Sequence, residues 1–142
     1  METIGYSNAE RKGRNLFVSD FPGDVSASQV ETLREEVTAI VKAAKPGDEA
    51  LLVLQTGGGT VTGYGLAAAQ LKRFKQHGIK LTICVEQVAA SGGYMMTCVA
   101  DKVIASPFAV LGSIGVISDL PNVSIDSRAM VLYTSGLLTL SY

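Results

Sequence analysis

Ser91 is the first residue of this sequence whose surroundings favour chemistry. It follows the strand-like segment Lys80–Val85 at a short distance, and Gly92-Gly93 opens the helical pattern after it. A serine at a sharp strand-to-helix turn exposes its hydroxyl in the positive field of the helix start, where a neighbouring N–H can stabilise an oxyanion. The simpler interpretation is a helix cap. Gly92 and Gly93 would each destabilise a helix by roughly 1 kcal/mol relative to alanine. Their presence favours a nucleophilic role for Ser91 over a capping role.

A second glycine-rich turn, Thr56–Thr60 (TGGGT), follows the apolar segment Glu49–Gln55. Its backbone N–H groups have no side chains around them, which suits an oxyanion hole or an anion nest, although a merely tight connection explains it equally well. The turn lacks the Lys-Ser/Thr ending of a phosphate-binding loop, so nucleotide binding is not predicted. If both turns follow parallel strands, they face one cleft at the carboxyl edge of the sheet.

A serine nucleophile needs a general base, and the sequence offers few. The single histidine, His77, stands at the end of a helical segment before Gly78, where it is predicted to cap the helix rather than to act on Ser91. A Ser-His-Asp triad is therefore not predicted. A Ser-Lys dyad remains, in which burial lowers the pKa of a lysine, but the only lysine after Ser91 is Lys102.

The elements that must position these residues alternate between strand and helix patterns. In chain order, the sequence predicts a strand at Asn15–Phe21, a helix from Ser26 or Ser28 to about Ala44, a strand at Glu49–Gln55, a helix at Gly63–His77, a strand at Lys80–Val85, a turn at Glu86–Ala90, a helix at Ser91–Val99 and a strand at Asp101–Ala105. Such alternation is typical of an α/β domain with a largely parallel sheet.

Composition excludes several classes of protein. With 142 residues, 47% of them hydrophobic, the chain is expected to form one domain with a real core. Lys+Arg of 12 against Asp+Glu of 13 gives a charge of -1, so nucleic acid is not a predicted partner. No segment stays apolar for the roughly 20 residues of a membrane span, and no signal peptide is recognised, so the chain is expected to be soluble. Cys84 and Cys98 are expected to be buried free thiols, and no metal or redox cofactor is indicated.

Two segments carry a resemblance to a known family. Val88–Ile117 (VAASGGYMMTCVADKVIASPFAVLGSIGVI) resembles the nucleophile region of the signal peptide peptidase A family of serine peptidases, and Gly63–Lys75 (GYGLAAAQLKRFK) resembles its SohB-like members. The resemblance spans about Leu16 to Val123. It implies the ClpP/crotonase-like fold, a single-domain spiral of repeated ββα units. It also implies a hydrolase that cleaves peptide or protein substrates through an acyl-enzyme.

The resemblance assigns roles residue by residue. Ser91 matches the family's nucleophile, and Gly58, Gly59 and Gly92 match positions of its oxyanion hole. Ser113 matches the serine of the family's G-S-I-G motif and is a possible secondary site. The family's first turn usually reads S-P-G-G, whereas this chain has a glycine in place of the proline, which should loosen the turn without removing its N–H donors.

The carboxyl-terminal part departs from the family pattern. The family's lysine base lies in a Y-K-R-like stretch beyond this region, no residue here matches it, and Arg128 cannot act as a base at neutral pH. We expect a polar leader at residues 1–14, a core at 15–123 and a divergent tail at 124–142, as truncation or a frameshift would produce. Apolar residues of the tail around Val131 and Leu137 suggest a strand.

The family context adds further expectations. The resemblance implies homo-oligomeric assembly and a place at the bacterial inner membrane or in the periplasm. In the family an amino-terminal anchor provides the membrane association, and we expect no such anchor within this sequence. Without a lysine base, the isolated chain is expected to show little or no peptidase activity. One alternative is an inactive homologue that acts as an assembly or regulatory module on full-length subunits. Another, an acyl-CoA enzyme on the related crotonase fold, leaves Ser91-Gly92-Gly93 unexplained.

Overall fold

The computed structural model describes residues 13–115, 120–126 and 129–135, and strands and helices alternate through them. In chain order the elements are β1 (Leu16–Gly23), α1 (Val30–Ala43), β2 (Glu49–Thr56), α2 (Val61–Gln76), β3 (Lys80–Ala90), α3 (Gly92–Thr97), β4 (Lys102–Ala105), β5 (Val110–Gly112), β6 (Leu120–Asp126) and β7 (Ala129–Ser135). No helix within these ranges is long and apolar enough to cross a bilayer.

One parallel sheet organises the first part of the chain. Its strand order is β1-β2-β3-β4, and β5 pairs with the far end of β3. The strands β6 and β7 form a separate antiparallel pair. The prediction of an α/β fold with a parallel sheet is confirmed, and the arrangement agrees with the ClpP/crotonase-like expectation.

Strand β3 is longer than the sequence pattern predicts. The expected turn at Glu86–Ala90 is wrong, because the strand continues through it to Ala90. Long-range pairing is the reason: β4 pairs with β3 at Thr82–Val85, and β5 pairs with it at Val88–Ala90. The polar residues Glu86 and Gln87, which suggested a turn, lie where the register between β2 and β3 shifts.

The core lies between one face of the sheet and helices α1 and α2. Alternate residues of β2 and β3 point towards the helices and are buried: Ala50, Leu52, Leu54, Leu81, Ile83 and Val85. The helices contribute Leu33 and Val37 from α1 and Ala67, Leu71 and Phe74 from α2, which recur at helical spacing. This packing fixes the height of β2 and β3 relative to each other, and so fixes where both strands end.

Helix α1 begins later than predicted. Gln29 precedes its first residue, Val30, and no side chain caps this end. Asp24 explains the difference, because its carboxylate accepts hydrogen bonds from the backbone N–H and the hydroxyl of Ser28, at 2.8 and 2.7 Å. The bonds from Ser28 hold the pKa of Asp24 below its usual value. The serines near this helix therefore shape a turn instead of capping the helix.

The two cysteines are free, as predicted, but they are not buried. Cys84 is half-buried and Cys98 is exposed. Cys84 lies on the face of β3 that points away from the helices, and Cys98 follows the end of α3. The expectation of burial is wrong because it took apolar neighbours in sequence as neighbours in space.

The predicted domain boundaries are only partly within the described residues. Most of the leader, residues 1–14, lies outside them, and the boundary after Val123 falls inside β6. The predicted tail strand overlaps β7 at Val131, whereas Leu137 lies outside the described residues. The boundaries stay predictions.

Asp48 ties the start of the sheet to the end of α1. Its carboxylate accepts hydrogen bonds from the backbone N–H of Asn15 and of Lys45, both at 2.8 Å, and from the Asn15 amide at 3.2 Å. The bond from Lys45 is the largest of the effects that hold the pKa of Asp48 below its ordinary value of 3.8. A group whose pKa is lowered by folding stabilises the protein above that ordinary value, and this stabilisation is lost as pH falls through the folded-state pKa.

We expect Asp48→Asn to lower the free energy of unfolding at pH 7, because the amide loses the charge that its donors stabilise. The deficit should shrink at a pH below the lowered pKa of Asp48, where the wild-type carboxyl also becomes protonated. Denaturant unfolding at both pH values measures this. Asp20→Asn is the matched control, since Asp20 is exposed and forms no hydrogen bond or ion pair within the described residues. A deficit of the same size at pH 7 and at low pH would contradict the role given to the Asp48 charge.

Candidate functional site

Ser91 occupies a strained turn between β3 and α3. Its backbone has φ 51° and ψ -114°, a conformation that residues with a β-carbon rarely adopt. Two hydrogen bonds hold it there: the Ser91 N–H donates to the Gly112 carbonyl at 2.7 Å, and the Ser91 carbonyl accepts from the Met95 N–H at 3.0 Å. Such a turn is the one in which an α/β hydrolase presents its nucleophilic serine.

The Ser91 side chain does not cap the helix. Helix α3 begins at Gly92, one residue later than predicted, and the Ser91 hydroxyl forms no capping hydrogen bond. A capping serine also has an extended backbone, whereas Ser91 has a positive φ. The capping alternative is therefore contradicted, and the hydroxyl stays available.

The glycines after Ser91 are explained by close packing. A β-carbon on Gly92 would lie 2.5 Å from Tyr64 Cβ and 2.7 Å from Tyr64 Cδ2, and one on Gly93 would overlap the methyl group of Thr56. Both distances for Gly92 are shorter than any real β-carbon contact. The start of α3 thus lies directly against α2 and the end of β2.

The first glycine turn lies against Ser91. Gly58 has φ 87°, and a β-carbon there would lie 2.6 Å from Ser91 Cβ and 2.6 Å from the Ala90 carbonyl oxygen. Gly59 lies even closer to the backbone of Val25, since a β-carbon there would lie 1.9 Å from the Val25 carbonyl oxygen. The structure therefore brings together the two turns that the sequence analysis selected.

The N–H groups around Ser91 differ in what they donate to. The Gly58 N–H donates to Thr56 Oγ1 at 3.0 Å, and the Ser91 N–H is taken by Gly112. Gly59 and Gly92 have N–H groups that donate to no atom of the described residues. Of the three glycines expected to form an oxyanion hole, two have a free donor, and Gly58 serves the packing of the turn.

A small open cavity of about 70 Å³ lies beside Ser91. It is lined by Gly59, Val61, Ser91, Gly92, Met95, Ile114 and Gly115. Val61 and Ile114 are 57% and 68% exposed, so the rim is apolar and open to solvent. Ser113 is exposed, has φ 54° and adjoins the cavity in sequence, but it is not among the lining residues.

His77 lies far from this cavity. It caps the carboxyl end of α2, as predicted, and its Nδ1 lies 2.8 Å from the Arg73 carbonyl oxygen. That end of the helix is at the amino edge of the sheet, next to the start of β3, whereas Ser91 follows the end of β3. A histidine base for Ser91 is excluded by this topology.

The lysines of the described residues share the edge occupied by His77. They lie near the carboxyl ends of the helices, in the connection after α1 or at the first residues of strands: Lys42, Lys45, Lys72, Lys75, Lys80 and Lys102. At roughly 3.3 Å per residue, the length of β3 separates Lys80 from Ser91 by about 35 Å. Lys102 pairs with Thr82, so it lies only slightly nearer.

Tyr64, which the sequence pattern did not single out, lies beneath the site. It is fully buried, its ring packs edge-on against Phe21, and its hydroxyl donates to the Asp24 carbonyl at 2.6 Å and contacts Thr56 Oγ1. Burial raises the pKa of Tyr64 above its usual value. The available signal was a tyrosine on the buried side of α2, between Gly63 and Gly65.

Comparison with known proteins identifies two matching family models. The model described as "Peptidase family S49 N-terminal" matches residues 4–71, and the one described as "Peptidase family S49" matches residues 73–129. Together they cover most of the chain, and the second contains Ser91 and the strands that hold it.

Relatives are found in several bacteria. The chain is 54% identical over 126 residues to a "Probable protease SohB" of Buchnera aphidicola subsp. Schlechtendalia chinensis, a match that covers 86% of this chain and 41% of the relative. It is 56% identical over 119 residues to a "Probable protease SohB" of Haemophilus influenzae, covering 84% of this chain and 34% of the relative. "Protease 4" of Salmonella typhi is 29% identical over 119 residues, covering 82% of this chain and 18% of the relative. The chain thus spans less than half the length of these curated relatives.

We expect Gly92→Ala to lower the free energy of unfolding by about 1–3 kcal/mol, because its methyl group must displace the Tyr64 ring. The matched control is Gly65→Ala in α2, where a β-carbon meets nothing within 4 Å. That control should be neutral or should stabilise the protein by up to about 1 kcal/mol. Denaturant unfolding of both variants gives the comparison, and equal effects would contradict the packing described.

We expect Ser91→Gly to be more stable than Ser91→Ala by about 1 kcal/mol, because glycine adopts a positive φ without strain. Ala39→Gly, at an exposed position within α1, should show the opposite sign and destabilise by roughly 1 kcal/mol. Thermal and denaturant unfolding of the three variants test this. A glycine at position 91 that destabilises relative to alanine would show that the turn is not strained.

Proposed function

The chain belongs to peptidase family S49, and from this premise we propose that it is the core of a serine endopeptidase in which Ser91 is the nucleophile. The observation that carries the proposal is the strained Ser91 turn, held by Gly112, with an uncapped hydroxyl beside an open cavity. A structural serine at a helix start needs none of these features.

The reaction would proceed through an acyl-enzyme. Ser91 Oγ attacks the carbonyl carbon of the scissile peptide and loses its proton to a base, and the carbonyl oxygen becomes negatively charged. The N–H groups of Gly59 and Gly92, which have no partner in the described residues, are the donors proposed for that oxygen. The amine leaves with a proton, and water then releases the acyl group from Ser91.

The base would be a lysine from outside residues 13–115. The lysines within that range lie at the opposite edge of the sheet, and His77 lies there too. A base must come within hydrogen-bond distance of the proton that it removes, and these lysines lie about 30 Å from Ser91. A further segment of polypeptide or a second subunit would have to bring the lysine to Ser91.

The lining of the cavity supports an apolar peptide segment as substrate. Val61, Met95 and Ile114 present aliphatic and thioether groups next to Ser91, and no charged residue lines the cavity within the described part of the chain. Homo-oligomeric assembly, and a place at the bacterial inner membrane or in the periplasm, belong to the same proposal and rest on family membership alone.

A second candidate function is an assembly or regulatory module without catalysis of its own. The separation between Ser91 and every described lysine favours it. The acyl-CoA alternative leaves the strained, uncapped serine without a purpose.

Labelling with a fluorophosphonate distinguishes these candidates. We expect the purified chain to react at least about a thousandfold more slowly than an active serine peptidase, because the base is missing. Methylamine added at increasing concentration should raise the rate, since a free amine can replace the lysine. Ser91→Ala should abolish labelling, and mass spectrometry of the peptides tells Ser91 from Ser113.

The outcomes separate the two functions. Fast labelling of Ser91 without amine would mean that a group within this chain already acts as the base for Ser91. No labelling of Ser91 at any amine concentration would exclude the peptidase core and favour the regulatory module. Labelling at Ser113 alone would move the nucleophile to that residue.

A further inference from the structure

A chain of hydrogen bonds runs beneath the site through Tyr64. The Gly58 N–H donates to Thr56 Oγ1 at 3.0 Å, Thr56 Oγ1 contacts the Tyr64 hydroxyl, and the Tyr64 hydroxyl donates to the Asp24 carbonyl at 2.6 Å. These residues come from the β1–α1 connection, the end of β2, the glycine turn and α2. One side chain therefore links the segments that surround Ser91.

The direction of this chain is fixed by its two ends. A backbone N–H can only donate and a carbonyl can only accept. Since Tyr64 gives its proton to Asp24, its oxygen must accept from Thr56, and Thr56 in turn accepts from Gly58. Every bond therefore points the same way, from the glycine turn to Asp24, and bonds arranged in this way strengthen one another.

The two hydroxyl groups in this chain of hydrogen bonds, those of Tyr64 and Thr56, belong to buried residues. Tyr64 is fully buried and Thr56 is 3% exposed, so water does not readily replace a lost partner. The space around the hydroxyl is also filled, since a β-carbon on Gly23 would lie 2.5 Å from the Tyr64 oxygen and 2.8 Å from Thr56 Oγ1. The hydroxyl has one position available to it.

The ring of Tyr64 contacts the other half of the site. Gly92 lies against its Cβ and Cδ2, so close that no side chain fits between them. The hydroxyl end acts on Gly58 through Thr56, and the ring acts on Gly92 directly. One residue therefore contacts both sides of the site, Gly92 directly and the Gly58-Gly59 turn through Thr56.

We propose that Tyr64 is a positioning residue for the oxyanion hole: its hydroxyl, through Thr56, fixes the Gly58-Gly59 turn, and its ring fixes Gly92. The inference rests on the proposed function in that it takes the Gly59 and Gly92 N–H groups as the donors to the oxyanion. The hydrogen-bond chain itself is independent of that function. Tyr64 touches no reacting atom and acts only through the glycines.

Tyr64→Phe is the informative substitution, because it removes the hydroxyl and keeps the ring against Gly92. We expect the amide hydrogen of Gly58 to exchange with solvent roughly five- to tenfold faster, as loss of one buried hydrogen bond implies. Amides of the core strands, such as those of Leu52 and Ile83, should be unchanged and report that the variant is folded. Tyr94→Phe in α3 is the matched control, since the Tyr94 hydroxyl donates to no atom of the described residues.

A second pair of variants keeps the test decisive if Tyr64→Phe does not fold. Thr56→Val removes the hydroxyl at constant shape and should reproduce faster exchange at Gly58. Thr56→Ser keeps the hydroxyl and should restore the wild-type exchange rate. In the double variant Thr56→Val/Tyr64→Phe, exchange should be no faster than in either single variant, because the two residues act in one chain.

The chemical readout is the rate of fluorophosphonate labelling of Ser91 with methylamine present. We expect Tyr64→Phe to lower the maximal labelling rate about tenfold. The probe concentration that gives half of this rate should change less than about twofold, because misplaced donors destabilise the transition state more than they weaken binding of the probe. Faster exchange at Gly58 with unchanged labelling would overturn the positioning role. Unchanged exchange at Gly58 would overturn the hydrogen-bond chain. If the wild type is not labelled at all, the peptidase proposal fails, and the exchange rates still decide whether Tyr64 holds the turn.

Discussion

The contact between Gly58 and Ser91 is the constraint on which the rest of the structure depends. Parallel pairing of β2 with β3 ends both strands at the same edge of the sheet, and the turns that follow approach closer than a β-carbon allows. The core packing of α1 and α2 holds the two strands in register, so this approach is maintained by many buried contacts far from the site. The glycines are needed because the backbone segments touch, and not because the turns are flexible.

Much of this arrangement was predictable from local patterns. The glycine turns follow apolar segments, and the strand and helix alternation places both at one edge of a parallel sheet, so Ser91 and Gly58 could be identified as neighbours. Features that depend on distant partners were not predictable in this way. The extension of β3 needs β5, the Gly58 N–H is used by Thr56, and the role of Tyr64 depends on segments far apart in the sequence.

Basic side chains are distributed unequally between the two edges of the sheet. Lysines and His77 gather at the amino edge, where strands begin and helices end, and positive side chains there complement the helix carboxyl ends. The carboxyl edge carries glycines, small residues and an apolar cavity instead. Ser91 therefore lies in surroundings free of nearby positive charge among the described residues. The lysine proposed as its base would meet an apolar wall there, which is the environment that lowers the pKa of a lysine.

The bond from Ser91 to Gly112 has a consequence for the order in which the molecule is made. Two hydrogen bonds hold the strained backbone of Ser91, and the Gly112 carbonyl accepts one of them. Gly112 belongs to β5, which pairs beside the last residues of β3. During synthesis the ribosome completes the helix after Ser91 before it reaches that strand. A nascent chain that stops short of Gly112 has its serine without this bond, so the turn has one restraint fewer. The turn at Ser91 therefore reaches its final conformation only after β5 has docked, and the site proposed for catalysis is completed late in synthesis.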